Sequence, residues 1–280
     1  MKFNIPKFFF KIVLKFYKNF YLINHLKWAQ ENLESSVFFV SFDFETQKDV
    51  DLIERLTNKL LKSNIIPYYA IPGELIKENK KVFRKISKKC TIINHGYKIH
   101  TEFDKILNKN KSICSYCDFT KNEITKDVTD GHEAIKNFCN QVPKIFRAPH
   151  FGEYSENKSL DFIYNILDDL NYTYSSSTTP IYSLINSPIF KNKNILEMCS
   201  SSFIENPLQI IDSWSISNSN LNFHNLFGEF KKTLKLMQTS KFFFNVYFDP
   251  SDIINENIFF EHLSFLSKFQ KRIENIKIIK

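Results

Sequence analysis

The stretch Val37-Phe38-Phe39-Val40-Ser41-Phe42-Asp43-Phe44-Glu45 joins an apolar run directly to two carboxylates. A run of this length, rich in Val and Phe, is typical of a parallel strand that is buried on both faces. Asp43 and Glu45 follow at the end of that strand. Ligands and catalytic groups of α/β folds gather at the carboxyl ends of parallel strands. The stretch therefore predicts both a fold class and the edge of the sheet that carries the chemistry.

Similar short apolar runs recur along the chain and alternate with helix-like segments. The predicted strands are Val37–Phe42, Ile66–Ala70, Thr91–Asn94, Ile145–Arg147, Tyr172–Ser175, Ile195–Cys199 and Phe242–Phe248. The predicted helices are Asp49–Leu61, Glu74–Ser87, Asp130–Cys139, Leu160–Leu170, Phe223–Met237 and Phe259–Asn275. This alternating order is typical of parallel strands joined by crossover helices. We therefore expect a single α/β domain, a distorted (β/α)7-type barrel over residues 31–280, preceded by a basic amphipathic helix over residues 1–30.

The N-terminal segment combines a strongly apolar composition with regularly spaced lysines. The lysines that interrupt it share one helical face and are Lys7, Lys11, Lys15 and Lys18. They break the continuous apolar run that a signal peptide or a transmembrane helix needs. Two interpretations remain open for residues 7–22. The segment is either an anchor on a membrane surface or a helix packed on the barrel with its lysines in water.

The overall charge and the cysteine content limit the class of partner and the compartment. The chain has 280 residues and a net charge of +8, which suits nucleic acid or an anionic membrane surface. Its basic residues are mostly scattered lysines without an Arg-rich patch, so we expect no nucleic-acid partner. Five cysteines without a secretory signal favour a reducing, cytoplasmic location. If the basic N-terminal helix is a membrane anchor, the protein would be peripheral on the inner face of the membrane. Cys114 and Cys117 form a single CxxC, which we interpret as a loop.

Four side chains at predicted strand ends form a set that suits a divalent cation. Glu45 follows the first strand, and His95 and His100 follow the third. One carboxylate and two imidazoles are a common three-ligand set that leaves open positions for water and substrate. The second carboxylate, Asp43, could then act as a general base. The residues alone thus indicate a metal-dependent hydrolytic site.

Four segments resemble the conserved stretches of the polysaccharide deacetylases, the NodB-homology domain of carbohydrate esterase family 4. In chain order they are Ser41-Phe42-Asp43-Phe44-Glu45-Thr46, Tyr69-Ala70-Ile71-Pro72-Gly73-Glu74-Leu75, Asn94-His95-Gly96-Tyr97 with His100, and Phe146-Arg147-Ala148-Pro149-His150-Phe151-Gly152. The first, third and fourth resemble the family's first three motifs, and the second resembles the stretch after its second strand. The resemblance runs from about Val37 to Pro250.

The resemblance implies a mechanism and a substrate. Glu45, His95 and His100 would hold a divalent ion, with Zn²⁺ the expected metal, and Asp43 would be the catalytic base. Arg147 would orient Asp43, although a surface ion pair is the alternative for this residue. The substrate would be an N-acetyl or similar amide on an amino sugar of a cell-surface glycan or its precursor.

Three positions depart from the pattern of the family. His95 and His100 are five positions apart where the family has four, so a loop must restore the geometry or His150 must replace His100. Asp249 occupies the place of a histidine that acts as general acid in the family. A carboxylic acid can serve there if burial raises its pKa, and His150 is a second candidate. Glu45 replaces the usual aspartate.

Other functions remain open at this point. The departures also fit a catalytically degraded barrel that binds a carbohydrate or a partner protein, and a hydrolase of a non-sugar amide is a third possibility. Trp28 and Trp214 could stack on sugar rings, but core packing is the expectation for each. Tyr97, next to His95, is the better candidate for the cleft.

Overall fold

A computed structural model describes residues 18–104, 109–150, 157–218 and 222–279, which form alternating strands and helices. The strands are β1 (Val37–Asp43), β2 (Tyr68–Ile71), β3 (Thr91–Asn94), β4 (Thr101–Asp104), β5 (Lys109–Ser112), β6 (Ile145–Phe146), β7 (Tyr174–Ser175), β8 (Ile189–Asn192), β9 (Ile195–Met198), β10 (Ser202–Phe203), β11 (Asn206–Ile210) and β12 (Phe243–Phe248). The helices are α1 (Lys18–Asn32), α2 (Gln47–Asp51), α3 (Ile53–Lys62), α4 (Gly73–Glu78), α5 (Lys80–Ile86), α6 (Lys121–Cys139), α7 (Asn157–Asp169), α8 (Pro180–Ile185), α9 (Ser213–Asn218), α10 (Phe223–Thr239), α11 (Pro250–Ile253) and α12 (Asn257–Leu266).

Eight strands form one curled sheet that makes a half-barrel, in the order β12-β1-β2-β3-β6-β7-β9-β8. The β8–β9 pair is antiparallel, and the other neighbours are parallel. All seven predicted strands are present, each within two residues of its predicted ends. The α/β class and the distorted barrel are therefore confirmed. The pairs β4–β5 and β10–β11 form two separate hairpins that the apolar pattern did not predict.

The interior of the barrel becomes more polar toward the carboxyl ends of the strands. Side chains alternate between the two faces of a strand, so every second residue of β1 points inward. Along β1 these are Phe39, then Ser41, then Asp43, all buried. Along β12 the corresponding residues are Phe243 and Asn245. This gradient places apolar packing at one end of the barrel and polar groups at the other.

A short seam joins β12 to the segment that follows β9. The backbone carbonyl oxygen of Asn245 accepts a hydrogen bond from the Ser201 N–H at 2.7 Å, and the backbone N–H of Asn245 donates to Ser201 Oγ at 3.0 Å. The Asn245 amide also donates to the carbonyl oxygens of Met198 and Cys199, at 3.1 Å each. A single buried side chain thus links the two sides of the half-barrel.

Several predicted helix boundaries were wrong. The predicted helices Asp49–Leu61 and Glu74–Ser87 are each two helices, α2 with α3 and α4 with α5. The predicted helix Phe259–Asn275 ends as α12 at Leu266 and continues in two 3-10 turns.

The predicted start of α6 was also wrong, because the helix begins at Lys121 rather than at Asp130. Thr120 caps this helix, because its Oγ1 accepts from the Glu123 N–H at 3.3 Å. The Glu123 carboxylate accepts in return from the Thr120 N–H at 2.8 Å. This reciprocal capping box was readable in the sequence as Thr-x-x-Glu.

Helix α1 packs against the barrel along one face. Tyr21, His25, Ala29 and Leu33 recur every four residues and are buried. The His25 ring stacks on Phe242 with a centroid distance of 4.3 Å. Of the predicted segment 7–22, residues 18–22 thus belong to a helix that packs on the barrel. Residues 7–17 lie outside the described residues, so the membrane anchor and the boundary at residue 30 stay predictions.

None of the helices within the described ranges is long and apolar enough to cross a membrane.

Candidate active site

A cavity of about 290 Å³ lies at the carboxyl ends of the parallel strands. Its walls combine carboxylates, imidazoles, hydroxyl groups and apolar or aromatic side chains. The lining residues are Asp43, Glu45, His95, Thr101, Ser112, His150, Ile210, Asp212, Trp214, Ser215, Tyr247 and Asp249. Five of the seven predicted site residues line it. The other two, His100 and Arg147, are buried and contact residues of the wall.

A larger groove of about 440 Å³ lies elsewhere, around Trp28, Ile189 and Ile278. Among the residues that the structure describes, its lining contains no carboxylate and no imidazole. Acid–base or metal chemistry therefore belongs to the smaller cavity.

Glu45, His95 and His100 converge on one point. One ligand atom from each of the three lies within 4.8 Å of the other two. The two imidazole rings meet edge to face with centroids 4.6 Å apart, and Glu45 Oε1 lies 3.6 Å from His100 Nε2. Both histidines are buried. The structure thus brings together the three residues predicted as metal ligands.

The hydrogen bonds of the two histidines show that this set fits a divalent cation. His95 Nδ1 lies 2.9 Å from the Arg147 carbonyl oxygen, which can only accept, so Nδ1 carries the proton and Nε2 keeps a free lone pair. His100 Nδ1 faces the Lys98 carbonyl oxygen at 3.4 Å. His100 Nε2 is buried without a hydrogen-bond partner among the described residues. A buried nitrogen of this kind is costly unless a ligand such as Zn²⁺ satisfies it.

The five-residue spacing of the histidines is accommodated by a loop. His95 and His100 both lie between β3 and β4, outside any helix. Gly96 has a φ of +75°, a backbone conformation that residues other than glycine rarely adopt. A Cβ at this position would collide with the Asp127 carboxylate and the Tyr116 hydroxyl. The chain therefore turns at Gly96 and returns His100 to His95, so His150 is not needed as a replacement ligand.

Two carboxylates from neighbouring helices hold the same loop. Asp127 of α6 accepts from the Lys98 N–H at 2.8 Å. Glu74 of α4 accepts from the Ile99 N–H, also at 2.8 Å. The backbone that precedes His100 is therefore fixed by α4 and α6.

Asp43 and Arg147 form a fully buried ion pair beside the three converging residues. Arg147 Nη1 bonds to Asp43 Oδ1, and its Nε and Nη2 donate to the carbonyl oxygen and Oγ of Ser176 at 3.3 and 3.2 Å. The guanidinium also stacks over the Tyr247 ring at 5.0 Å. The surface ion pair considered for Arg147 is therefore wrong. Burial raises the pKa of Asp43 to about 6, although the Arg147 charge opposes this shift.

Asp249 and Glu45 are neighbouring carboxyl groups with opposite pKa shifts. Burial raises the pKa of Asp249 well above its usual range, and the Glu45 charge adds to this shift. Burial also acts to raise the pKa of Glu45, but the adjacent His100 outweighs it and holds the pKa at about 2. Asp249 is only 7% exposed, and its N–H donates to Ser213 Oγ at 2.7 Å. The cavity thus offers two neighbouring carboxyl groups, one with a lowered pKa and one with a raised pKa.

His150 lies at the rim of the cavity and bonds to the adjacent hairpin. Its Nε2 is 3.0 Å from Ser112 Oγ and 3.2 Å from the His100 carbonyl oxygen. Its ring meets the His100 ring edge to face at 4.9 Å. It therefore lines the cavity while its Nε2 lies against the β4–β5 hairpin.

Asp212, Trp214 and Tyr247 complete the wall and were not predicted as site residues. Asp212 accepts hydrogen bonds from the Tyr247 hydroxyl and the Ser215 N–H, both at 2.6 Å. Trp214 is 49% exposed, so core packing was the wrong expectation for it. Tyr97, which we favoured for the cleft, is not among the residues that line the cavity. Tyr247 could have been found, because it lies on β12 two positions before Asp249, and residues two apart in extended backbone face the same way.

No protein-family model and no curated protein matches the chain. Solved structures with a similar fold include carbohydrate deacetylases and esterases. A candidate polysaccharide deacetylase from Mycobacterium smegmatis is 15% identical, with a TM-score of 0.57 over 84% of this chain and 83% of that one. The family 4 carbohydrate esterase from Streptomyces lividans, in complex with acetate, is 11% identical, with a TM-score of 0.54 over 88% and 98%. A peptidoglycan N-acetylglucosamine deacetylase is 12% identical, with a TM-score of 0.50 over 85% of each chain. The chain therefore has the fold of the polysaccharide deacetylases.

Proposed function

We propose that this chain, which has the fold of the family 4 carbohydrate esterases, is a metal-dependent amide hydrolase. Its substrate would be an N-acetyl or similar amide on an amino sugar of a cell-surface glycan or its precursor. The observation that carries the proposal is the convergence of Glu45, His95 and His100 beside the buried Asp43–Arg147 pair. That arrangement combines a cation site with a positioned carboxylate in one cavity.

The three converging residues would hold the metal. A carboxylate and two imidazoles suit Zn²⁺, with positions left for water and substrate. When bound, the ion supplies Lewis-acid polarisation of the amide carbonyl and makes a nearby water easier to deprotonate. His95 and His100 present their Nε2 atoms because their Nδ1 atoms face the Arg147 and Lys98 carbonyl oxygens.

Asp43 would be the general base. Its carboxylate would take one proton from the attacking water while the water oxygen bonds to the amide carbon. Arg147 holds one oxygen of this carboxylate and is itself held by Ser176 and stacked on Tyr247. The Asp43 carboxylate therefore has little freedom to rotate away from the water whose proton it would take.

Asp249 would be the general acid. As the C–N bond breaks, the leaving nitrogen needs a proton, and a buried carboxyl with a raised pKa can supply it. The products are then a carboxylate and the free amino sugar. His150 lines the same cavity and is the second candidate for this proton.

The walls of the cavity support an uncharged sugar as the substrate. Among the described residues they include the carboxylates of Asp43, Glu45, Asp212 and Asp249 and no Lys or Arg. The half-exposed Trp214 ring provides a flat apolar surface of the kind on which sugar rings stack. The described walls of the cavity are therefore acidic, in contrast to the net charge of +8 of the chain.

Metal content and product release test the proposal together. Purified protein should contain close to one equivalent of a divalent metal, and His95→Ala should lose it. The exposed His224→Ala serves as the matched control and should keep the metal. Asp43→Asn should also keep the metal but release acetate from N-acetylated oligosaccharides about 10²- to 10⁴-fold more slowly.

The alternatives predict different results. Protein that binds glycan but takes up no metal, even with excess divalent ions, would favour the degraded binding barrel. Metal-loaded protein that hydrolyses other amides but no acetylated sugar would favour a non-sugar hydrolase.

A further inference from the structure

Glu197 is a buried carboxyl group outside the cavity. It belongs to β9, and its side chain has no exposed surface. Its Oε1 accepts hydrogen bonds from the Ser177 N–H at 2.7 Å and from Thr178 Oγ1 at 2.9 Å, and its Oε2 accepts from the Tyr164 hydroxyl at 3.1 Å. Burial raises the pKa of Glu197, which shows that the ionised group is costly at this place. The carboxyl group thus holds one short segment of backbone that follows β7.

That segment contacts the guanidinium of the candidate active site. We call residues Ser175–Thr178 the serine segment, and all four are buried. Ser176 accepts two hydrogen bonds from the Arg147 side chain, at its carbonyl oxygen at 3.3 Å and at its Oγ at 3.2 Å. The same guanidinium bonds to Asp43. The serine segment therefore connects Glu197 with the side chain that orients the proposed base.

The serine segment holds the backbone on both sides of Arg147 as well. Ser176 donates its N–H to the Phe146 carbonyl oxygen at 2.9 Å, and Ser177 Oγ accepts from the Ala148 N–H at 2.9 Å. Both the backbone and the side chain at this position are therefore bonded to the serine segment. Since Glu197 accepts from the N–H of Ser177, it fixes the residue whose hydroxyl group holds this backbone.

We infer that Glu197 is a positioning residue, which acts through the serine segment to keep Arg147, and with it Asp43, in the orientation that hydrolysis needs. The inference rests on the proposed function. Among the described residues that line the cavity, neither Glu197 nor any member of the serine segment is present. Loss of the hydrogen bonds of Glu197 should therefore slow turnover and leave substrate binding unchanged. A displacement of about 1 Å in a catalytic group costs about 10²-fold in rate.

Two substitutions of Glu197 test the role of its hydrogen bonds. Glu197→Gln keeps an oxygen that can accept from Ser177 and Thr178, and its amide can donate to the Tyr164 hydroxyl. Glu197→Leu keeps a similar volume but leaves these buried donors without an acceptor. With saturating metal, kcat for acetate release should stay within about threefold of the wild type in Glu197→Gln and fall about 10²-fold in Glu197→Leu. KM should be unchanged in both variants.

The matched control is Glu229→Leu. Glu229 is a second buried carboxyl group, 3% exposed, on α10, and it accepts from the Ile204 N–H between β10 and β11. Its replacement also leaves a buried donor without an acceptor, so it should destabilise the protein. The folded Glu229→Leu protein should nevertheless keep the kcat of the wild type.

A double-mutant cycle separates the positioning of Asp43 from a general loss of structure. In the Asp43→Asn background, Glu197→Leu should lower kcat by less than about threefold, because the carboxylate that it positions is already absent. A further 10²-fold loss in that background would overturn the inference. Equal losses of kcat in Glu197→Gln and Glu197→Leu would overturn it as well.

Hydrogen exchange at Arg147 Nε tests the same link without any turnover. This N–H donates to Ser176 and is buried, so in protein made with isotope-labelled arginine it should exchange slowly. The other arginines are exposed and should exchange fast, namely Arg55, Arg84 and Arg272. Glu197→Leu should speed exchange at Arg147 about tenfold, and Glu229→Leu should not.

The two measurements distinguish failure of this inference from failure of the proposed function. Unchanged exchange at Arg147 in Glu197→Leu would overturn the inference, even if the wild-type protein releases acetate. Wild-type protein that releases no acetate, together with faster exchange in Glu197→Leu, would refute the proposed function and leave the link from Glu197 to Arg147 standing.

Discussion

At the scale of single residues, Arg147 determines how Asp43 is held. The guanidinium is fully buried and bonds to Asp43 and to both oxygens of Ser176. A planar group with several donors is needed to reach these acceptors at once. The pair therefore restrains the carboxylate, and removal of one partner leaves the other charge buried.

We predict that Arg147→Met destabilises the protein by about 3 kcal/mol or more, because Asp43 would lose its buried counter-charge. Urea unfolding of the metal-free protein measures the loss. Arg147→Met with Asp43→Asn should cost less than the sum of the two single changes. Additive losses would show that the two side chains do not stabilise each other.

His25 gives a pH-dependent prediction. Burial lowers its pKa from 6.5 to about 4, so between these values the unfolded chain binds the proton and the folded protein does not. Stability should therefore fall as the pH decreases from 7 to 5, by about 2 kcal/mol from this group. His25→Phe keeps a ring against Phe242 and should lack this part of the loss. Equal pH dependence of unfolding in both proteins would refute the assignment.

The sequence predicted the candidate catalytic and metal-binding residues better than it predicted the other residues that line the cavity. Asp43, Glu45, His95 and Arg147 follow strands whose apolar runs are recognisable, so their shared edge could be predicted. Asp212 and Trp214 follow a hairpin that has no such run, and only the tertiary fold brings them to the cavity. The raised pKa of Asp249 likewise depends on burial and on the nearby Glu45, which no local pattern encodes.

At the scale of elements, the loop between β3 and β4 sets the position of His100. Its backbone is held by Glu74 and Asp127 from two helices, and it turns at Gly96. The predicted start of α6 at Asp130 left Asp127 outside the helix. The support for this loop was therefore hidden by a boundary error, although the Thr120–Glu123 capping box was present in the sequence.

Gly96→Ala should weaken metal binding about 10- to 100-fold, because the new Cβ would displace the loop that carries His100. Metal titration of the purified variant measures this. Gly228→Ala is the matched control, since a Cβ there meets nothing within 4 Å. Gly228 lies on α10, so Gly228→Ala should keep full metal affinity. It should also gain about 0.5–1 kcal/mol of stability, because alanine favours a helix more than glycine does. Unchanged metal affinity in Gly96→Ala would contradict the role of the loop.

At the scale of the whole molecule, the half-barrel depends on the seam at Asn245. Its side-chain amide donates to Met198, Cys199 and Ser176, and its backbone pairs with Ser201. The strand order could be anticipated from the alternation of strands and helices. The seam could not be anticipated, because an asparagine in an apolar strand does not reveal which carbonyl oxygens its side-chain amide will bond to.

Asn245→Ala should destabilise the protein by about 2 kcal/mol, because it leaves buried acceptors without donors. The melting temperature should fall by about 4–8 °C, as expected for a chain of this size. The exposed Asn275→Ala should change stability by less than about 0.5 kcal/mol. Equal melting temperatures of the two variants would mean that the seam contributes little.

The pairing of β1 with β12 has a consequence for synthesis of the protein. Val37 pairs with Phe243, which lies 206 positions later in the chain. At about 5–20 residues per second, a ribosome takes roughly 10–40 s to make the intervening segment. During that interval the apolar β1 lacks one of its two neighbours and is open to aggregation or to capture by a chaperone. Slower growth at low temperature, with chaperones in excess, is therefore the condition under which we expect the best yield of folded protein.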